Sequence, residues 1–230
     1  MDTKDSKRKL LIPVIILYIF FIIIQFAMFF LSKGPIWNGF NFMRSILGTV
    51  LLSFVAPITF IGITFYLRNE EKPKRSILKT SLLVVGIAII NLVLSIVITM
   101  QLEKIYGPTT GNPVISEAKK ALLPTVFRLG WGLLGEEAIK LSFFFVLYGK
   151  IKYDSDKKWK YWGVWIIIAI VFGLGHFDTY KYNLLHSILA IGLPNVLYGY
   201  LWKKTESPVL MWSTHFLYDM ILVLITYIAM

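Results

Sequence analysis

The segment LLIPVIILYIFFIIIQFAMFFL, Leu10–Leu31, has 22 residues, no charged side chain and a single amide, Gln25. A helix rises about 1.5 Å per residue, so about 20 apolar residues cross the roughly 30 Å hydrocarbon core of a bilayer. The apolar core of a signal peptide is shorter, about 7–15 residues. The segment therefore predicts a retained membrane-spanning helix.

Six further segments are apolar over a similar length, and hydrophobic residues make up 57% of the 230 residues. Because lipid-exposed backbone must satisfy its own hydrogen bonds, helices are expected rather than open strands. The prediction is an all-α polytopic bundle of about seven transmembrane helices. It forms a single domain over 1–230, with three helices and their loops in 1–120 and the others in 121–230. The predicted spans are Leu10–Leu31, Ile46–Leu67, Thr80–Met100, Leu122–Tyr148, Trp162–Phe177, Leu184–Trp202 and Val209–Ile228.

The formal net charge of +11 comes from short basic runs between the apolar segments. Such runs are typical of topology signals and of contacts with anionic lipid, so the bilayer is the expected partner and no nucleic acid is predicted. With a cytoplasmic N-terminus, 16 of the 24 Lys and Arg residues fall in cytoplasmic segments, six fall outside, and two lie within the fourth span. The positive-inside rule thus predicts a multi-pass protein of the cell membrane with its N-terminus in the cytoplasm. The cytoplasmic segments are 1–9, 68–79, 149–161 and 203–208.

Ionisable residues are concentrated in the last four spans, although each costs about 2.5–3.5 kcal/mol at the centre of a membrane helix. The structural alternative is that they pair with one another, as Glu136 or Glu137 can with Lys140 at helical spacing. One pair is explained in this way. A spare carboxylate, two histidines and an aspartate on three helices instead predict a chemical site. The residues are Arg128, Glu136, Glu137, Lys140, His176, Asp178, His186, His215 and Asp219.

Hydrolysis suits this set of side chains. A carboxylate can take a proton from water and return it to the leaving group, while histidines share the water and donate to the oxyanion. The absence of cysteine excludes thiol nucleophiles and Cys-ligated metals. Two histidines and a glutamate can also bind zinc, but the HExxH signature is missing, so hydrolysis without a cofactor is favoured over a zinc enzyme.

At these residues the sequence resembles the CPBP family of intramembrane glutamic proteases, which includes the CAAX prenyl-protein endopeptidases and the bacterial Abi proteins. The family motifs EExxxR, FxxxH and HxxxN or HxxxD correspond here to Glu136–Leu141, Phe172–His176 and His215–Asp219. The resemblance implies an intramembrane endopeptidase acting on a membrane-associated peptide or protein, such as a secreted peptide, a bacteriocin precursor, an anti-sigma factor or a prenylated protein. The resemblance gives no information on the oligomeric state.

The resemblance also implies a role for each site residue. Glu136 would be the main base, with Glu137 assisting it or fixing its geometry, and His176 would share the water. His215 would stabilise the oxyanion, and Asp219 would orient His215. Supporting positions are Lys140, Phe172 and Asn195.

One position departs from the family pattern, because Leu141 stands where the motif has arginine and Lys140 precedes it. The forms EExxK and HxxxD are those of the PrsW-type proteases, so the first and last motifs have PrsW-like features. Lysine does not reproduce the bidentate contacts of arginine. Because of this departure, an alternative to a protease stays open: a non-catalytic bacteriocin-immunity or scaffold protein of the same fold.

Overall fold

The structure, a computed structural model, describes residues 10–31, 35–70, 76–109 and 113–228. Over these residues it consists of helices and the turns between them, with no β-strand. The all-α prediction is therefore confirmed for the described part of the chain. The basic segments 1–9 and 71–75, which contribute to the predicted orientation, lie outside it.

Nine α-helices are present in the described ranges. They are α1 (Ile12–Phe30), α2 (Pro35–Val50), α3 (Ala56–Tyr66), α4 (Ile77–Tyr106), α5 (Pro113–Lys120), α6 (Leu122–Tyr148), α7 (Lys158–Leu174), α8 (Val196–Thr205) and α9 (Pro208–Ile228). A π-helical turn, Leu51–Val55, joins α2 to α3. Between α7 and α8 lie the turn 175–182, a π-helical segment, His186–Gly192, and a 3₁₀ turn, Leu193–Asn195.

Four helical segments are long and apolar enough to cross a membrane, and they correspond to the predicted first, second, third and seventh spans. The other three predicted spans, the fourth, fifth and sixth, are either too highly charged or too short to meet both conditions. Helix α6 has the length of a span but carries four charged residues, and α7 and α8 have only 17 and 10 residues. A membrane protein is supported, whereas the count of seven spans is not confirmed. The four segments are Ile12–Phe30, Ile36–Tyr66, Ile77–Tyr106 and Pro208–Ile225.

Helix α6 has the predicted bounds because a strong signal ends it. Gly149 follows Tyr148 with φ of 82°, a left-handed conformation that favours glycine, and its N–H donates to Phe145 O at 3.2 Å. Helix α2, in contrast, begins at Pro35, eleven residues before the predicted start at Ile46. The asparagines in this stretch lower its hydropathy without interrupting the helix.

Helix α6 packs against α1, α3, α5, α7 and α9, and the buried second half of the helix, from Leu133 onwards, lies at the centre of the bundle. Glycines bring the neighbouring elements close together. A Cβ at Gly173 of α7 would collide with the backbone of Ser187, and one at Gly192 would collide with Ala169 O. Small residues permit such approach between membrane helices. The π-helical segment is thereby held against α7.

The two ends of the bundle differ in chemistry. Where α6 ends and α7 begins, the Phe144 ring lies with its centroid 5.2–5.7 Å from the rings of Tyr148, Tyr161, Trp165 and Trp202. All five side chains are at most 2% exposed. This aromatic cluster closes one end of the bundle, and Glu136, Glu137 and Lys140 lie near the middle of α6, between the cluster and the end where α5 meets α6.

Candidate active site

Adjacent glutamates of α6 have different surroundings because neighbouring residues on a helix point about 100° apart. The Glu137 side chain is fully buried, whereas the Glu136 side chain is 24% exposed and lines a cavity. Glu137 does not line that cavity. The EE pair therefore places one carboxylate at the cavity wall and the other behind it.

Lys140 is the buried partner of Glu137. Its Nζ lies 2.5 Å from Glu137 Oε1, and both side chains are fully buried. The same Nζ donates to Asn195 Oδ1 at 2.9 Å and lies over the rings of Phe172 and Tyr198, 4.7 and 4.0 Å from their centroids. The three predicted supporting residues thus meet at one ammonium group, which joins α6 to α7 and to the 3₁₀ turn before α8.

His215 of α9 is oriented by Glu137. The two residues are joined by a 2.7 Å bond between Nδ1 and Glu137 Oε1, in which Nδ1–H donates to the carboxylate. The other ring nitrogen, Nε2, lies 3.9 Å from Glu136 Oε2 and 3.8 Å from Asp219 Oδ2. These two distances exceed a direct hydrogen bond. Glu137, rather than the predicted Asp219, makes the hydrogen bond that fixes the imidazole.

His176 follows the last residues of α7, and its Nδ1–H donates to Phe172 O at 3.0 Å. Its ring also packs on the Phe172 ring, with centroids 4.7 Å apart, and the Phe172 centroid lies 6.0 Å from that of the His215 ring. One phenylalanine therefore contacts both histidines. In the neutral tautomer defined by the Nδ1–H bond, Nε2 of His176 is a hydrogen-bond acceptor.

A cavity of about 390 Å³ brings the predicted residues together. It is lined by the predicted catalytic residues Glu136, His176, His215 and Asp219 and by the supporting residues Phe172 and Asn195. Glu137 and Lys140 lie behind the wall. The structure thus divides the predicted set into a group that faces the cavity and a buried pair that supports it.

The exposed part of the cavity lining, which we call its mouth, consists of Glu117 of α5 and Arg128 of α6 and lies where the two helices meet. Glu117 and Arg128 form an ion pair, and their side chains are 42% and 65% exposed. No role was predicted for Arg128, and in the structure it pairs with Glu117 across the mouth. Polar groups and ligands entering from this end reach Glu136 after about two turns of α6.

Beyond the mouth, further polar cavity residues were not predicted as site residues: Asn91 and Ser95 of α4, Thr125 of α6, Thr179 and Tyr180 after α7, and Tyr218 of α9. The spacing of Asn91 and Ser95, i and i+4 in the otherwise apolar stretch 82–98 of α4, is a signal that could have identified them. Ser95 also holds the π-helical segment, since its hydroxyl donates to Ala190 O at 2.8 Å. Tyr218 adjoins Asp219, and nothing in the sequence distinguishes it from the other tyrosines.

Metal ligation was the chemical alternative to a carboxylate-activated water. Within the described residues, no group of three or more His, Asp or Glu side chains is arranged to hold a metal ion. The Nδ1 bonds of His176 and His215 leave both Nε2 atoms available, as in many histidines that ligate metals, so the choice between the two reactions stays a prediction.

Residues 119–221 match the family model described as Type II CAAX prenyl endopeptidase Rce1-like. The matched stretch begins at the end of α5 and contains all three motifs. It confirms the predicted resemblance to the CPBP family over this region, and the Rce1-like family is a family of proteases. The PrsW-like features find no such support. No significant match was found among the curated proteins or the solved structures.

Proposed function

We propose that this protein is an intramembrane endopeptidase that hydrolyses peptide bonds of membrane-associated proteins or peptides without a metal cofactor. The similarity of residues 119–221 to CAAX-type proteases supports peptide hydrolysis. The observation that carries the proposal is the convergence of Glu136, His176, His215 and Asp219 on one cavity. Three helical elements, α6, α7 with its following turn, and α9, supply these side chains.

In the proposed reaction, water occupies the space between Glu136, His176 and His215. Glu136 accepts a proton from this water, and the hydroxyl oxygen attacks the carbonyl carbon of the scissile bond. Separations of 3.8–3.9 Å between His215 Nε2 and the two carboxylates suit a bridging water molecule. Glu136 then passes the proton to the amide nitrogen as the C–N bond breaks, so the carboxylate is regenerated.

The histidines have distinct parts in this reaction. With Nδ1–H bonded to Phe172 O, neutral His176 holds the water by accepting a hydrogen bond at Nε2. With Nδ1–H bonded to Glu137, His215 directs Nε2 into the cavity, where its protonated form donates to the oxyanion of the tetrahedral intermediate. Asp219 donates to the same oxyanion only when protonated.

The test is cleavage of fluorogenic peptides by purified protein in proteoliposomes, with single-span membrane peptides and prenylated C-terminal peptides as substrates. We expect Glu136→Gln and His176→Ala to lose about 10²-fold or more in kcat. Glu117→Gln, also at the cavity but remote from the reacting atoms, is the control for kcat, which it should leave unchanged. Undiminished cleavage in both site variants would refute the mechanism. Loss of activity on chelation, restored by zinc, would favour the zinc alternative.

We infer further that the protein crosses the cell membrane seven times, with its N-terminus in the cytoplasm. One end of the bundle carries basic residues at the entry to α7 and in the last turn of α8, and the positive-inside rule supports a cytoplasmic location for that end. These residues are Lys157, Lys158, Lys160, Lys203 and Lys204. The mouth of the cavity then opens at the outer face. The chain has no cysteine, so Lys119→Cys and Lys158→Cys give clean labelling sites. An impermeant maleimide added to whole cells should label the first variant alone, and the reverse result would invert the orientation.

A non-catalytic immunity or scaffold protein is the second candidate, and it is motivated by Leu141. This side chain is fully buried among apolar neighbours at the position of the motif arginine. If this candidate is correct, Glu136→Gln will keep full biological function in cells. Loss of function at normal expression would exclude it.

A further inference from the structure

A glutamine from α1 holds the turn that carries His176. Gln25 is fully buried, and its Nε2 donates to Gly175 O at 3.0 Å. Its Oε1 accepts a hydrogen bond from the backbone N–H of Asp178, also at 3.0 Å. These two backbone groups immediately bracket the segment that contains His176. One amide side chain therefore binds both sides of it.

A second residue on the same face of α1 contacts the same segment. Tyr18 lies seven residues, or two helical turns, before Gln25, and its hydroxyl donates to Phe172 O at 3.4 Å. That carbonyl also accepts the Nδ1–H of His176. A Cβ at Gly175 would collide with the Tyr18 hydroxyl, so glycine is required for this approach. Tyr18 and Gln25 thus contact the histidine's own hydrogen-bond acceptor and its turn.

The chemistry of the amide explains why glutamine stands in an apolar helix. Helix α7 ends at Leu174, which leaves backbone donors and acceptors in the turn 175–182 without helical partners. Unpaired backbone groups are costly away from water, by several kcal/mol each in hydrocarbon. An amide satisfies one donor and one acceptor at once, whereas an apolar side chain satisfies neither. The Asp178 side chain adds an ion pair with Arg44 of α2.

We propose that Gln25 is a positioning residue of the active site, which sets the place of His176 relative to the bound water. This inference rests on the proposed function. Helix α1 lies outside residues 119–221, so the family resemblance does not assign it a part in the site. The N-terminal helix is thereby a functional component of the protease.

The experiment compares wild type with Gln25→Met, which preserves the length of the side chain and removes both hydrogen bonds. The matched control is Met28→Leu, since Met28 is buried on the same helix and apolar. The chain has three histidines, His176, His186 and His215, so their imidazole NMR signals can be assigned by single substitution. We expect Gln25→Met to move the His176 signal more than the other two, and Met28→Leu to move none.

Kinetics supply an independent readout, because a displaced catalytic group lowers kcat more than it changes substrate binding. We expect Gln25→Met to lower kcat about 10- to 100-fold, with KM changed by less than about threefold. Gln25→Glu should recover activity as the pH falls, because a protonated carboxyl group donates and accepts as the amide does. An unmoved His176 signal with kcat within about threefold of wild type would refute the proposal. Equal movement of all three histidine signals would do so as well.

A second variant and an assay that needs no turnover keep the proposal testable. If Gln25→Met does not fold, Gln25→Asn, whose shorter side chain cannot bond both Gly175 O and the Asp178 N–H, must still move the His176 signal. If wild type cleaves no substrate, the proposed function fails. The NMR comparison requires no turnover and still decides whether Gln25 positions His176.

Discussion

The buried Glu137–Lys140 pair provides the sharpest test of how the site is built. Both side chains are fully buried and their charged atoms lie 2.5 Å apart. Removing one partner of a buried ion pair leaves the other uncompensated, at a cost of about 3–5 kcal/mol. We therefore expect Glu137→Gln and Lys140→Met each to lower the free energy of unfolding by this amount.

The double variant should cost less than the two single variants together. With both charges gone, the Gln oxygen still accepts the Nδ1–H of His215, but Asn195 Oδ1 loses its donor and the new amide NH2 stands where Glu137 Oε2 has no hydrogen-bond partner. Each unpaired buried polar group costs about 1–3 kcal/mol. The expected cost is thus about 2–6 kcal/mol, against about 6–10 kcal/mol for the sum of the single variants.

Unfolding in detergent can be followed by tryptophan fluorescence, because Trp165 and Trp202 are fully buried. Lys150→Met is the control, since Lys150 pairs with Asp154 in the loop after α6, where Lys150 is exposed and Asp154 is half-buried. It should leave the unfolding midpoint unchanged. Single-variant costs below about 1 kcal/mol, or a double variant equal to their sum, would show that the two charges are not coupled.

Three further predictions concern the cavity, its mouth and the turn after α8. Asp219→Asn should keep kcat/KM within about tenfold of wild type, because an amide donates to an oxyanion, whereas Asp219→Leu should lose about 10²-fold or more in steady-state assays. Arg128→Gln breaks the ion pair with Glu117 and should raise KM severalfold at unchanged kcat, since the pair holds α5 at the mouth. Burial raises the pKa of Glu206 above its ordinary value of 4.5, so its stabilising contribution is complete below pH 4.5 and is lost as the pH rises through the raised pKa. Glu206→Gln should therefore unfold at a higher temperature than wild type at pH 8, and the difference should vanish in acid.

The sequence predicted the regular parts of the fold because apolar length and helix-ending signals are local. The bounds of α6 agree with the prediction, and α9 begins at Pro208, one residue before it. The irregular parts depend on tertiary contacts. The predicted span Leu184–Trp202 contains the π-helical segment His186–Gly192, whose close packing on α7 needs glycines from both elements. Spacing within one segment cannot show such packing.

The sequence was sufficient to predict which residues form the candidate site, but not which partner each of them has. Helical spacing indicated that Lys140 could pair with either glutamate, and only the direction of the side chains assigns it to Glu137. The orientation of His215 by Glu137, 78 positions earlier in the chain, depends on the packing of α9 against α6. The roles assigned to Glu136 and the other cavity residues stay predictions until variants are assayed.

The division between the glutamates gives the missing arginine a physical interpretation. An EExxxR motif has its cation five positions after the first glutamate, whereas Lys140 follows Glu137 by three and lies on the same helical face. Here the cation neutralises the buried carboxylate that holds His215, and in the described part of the chain no lysine or arginine is paired with Glu136 at the cavity wall. A carboxylate free of such a pair retains its capacity to accept a proton from water. The replacement of arginine by leucine at position 141 is therefore compatible with hydrolysis, provided that Lys140 remains beneath the cavity.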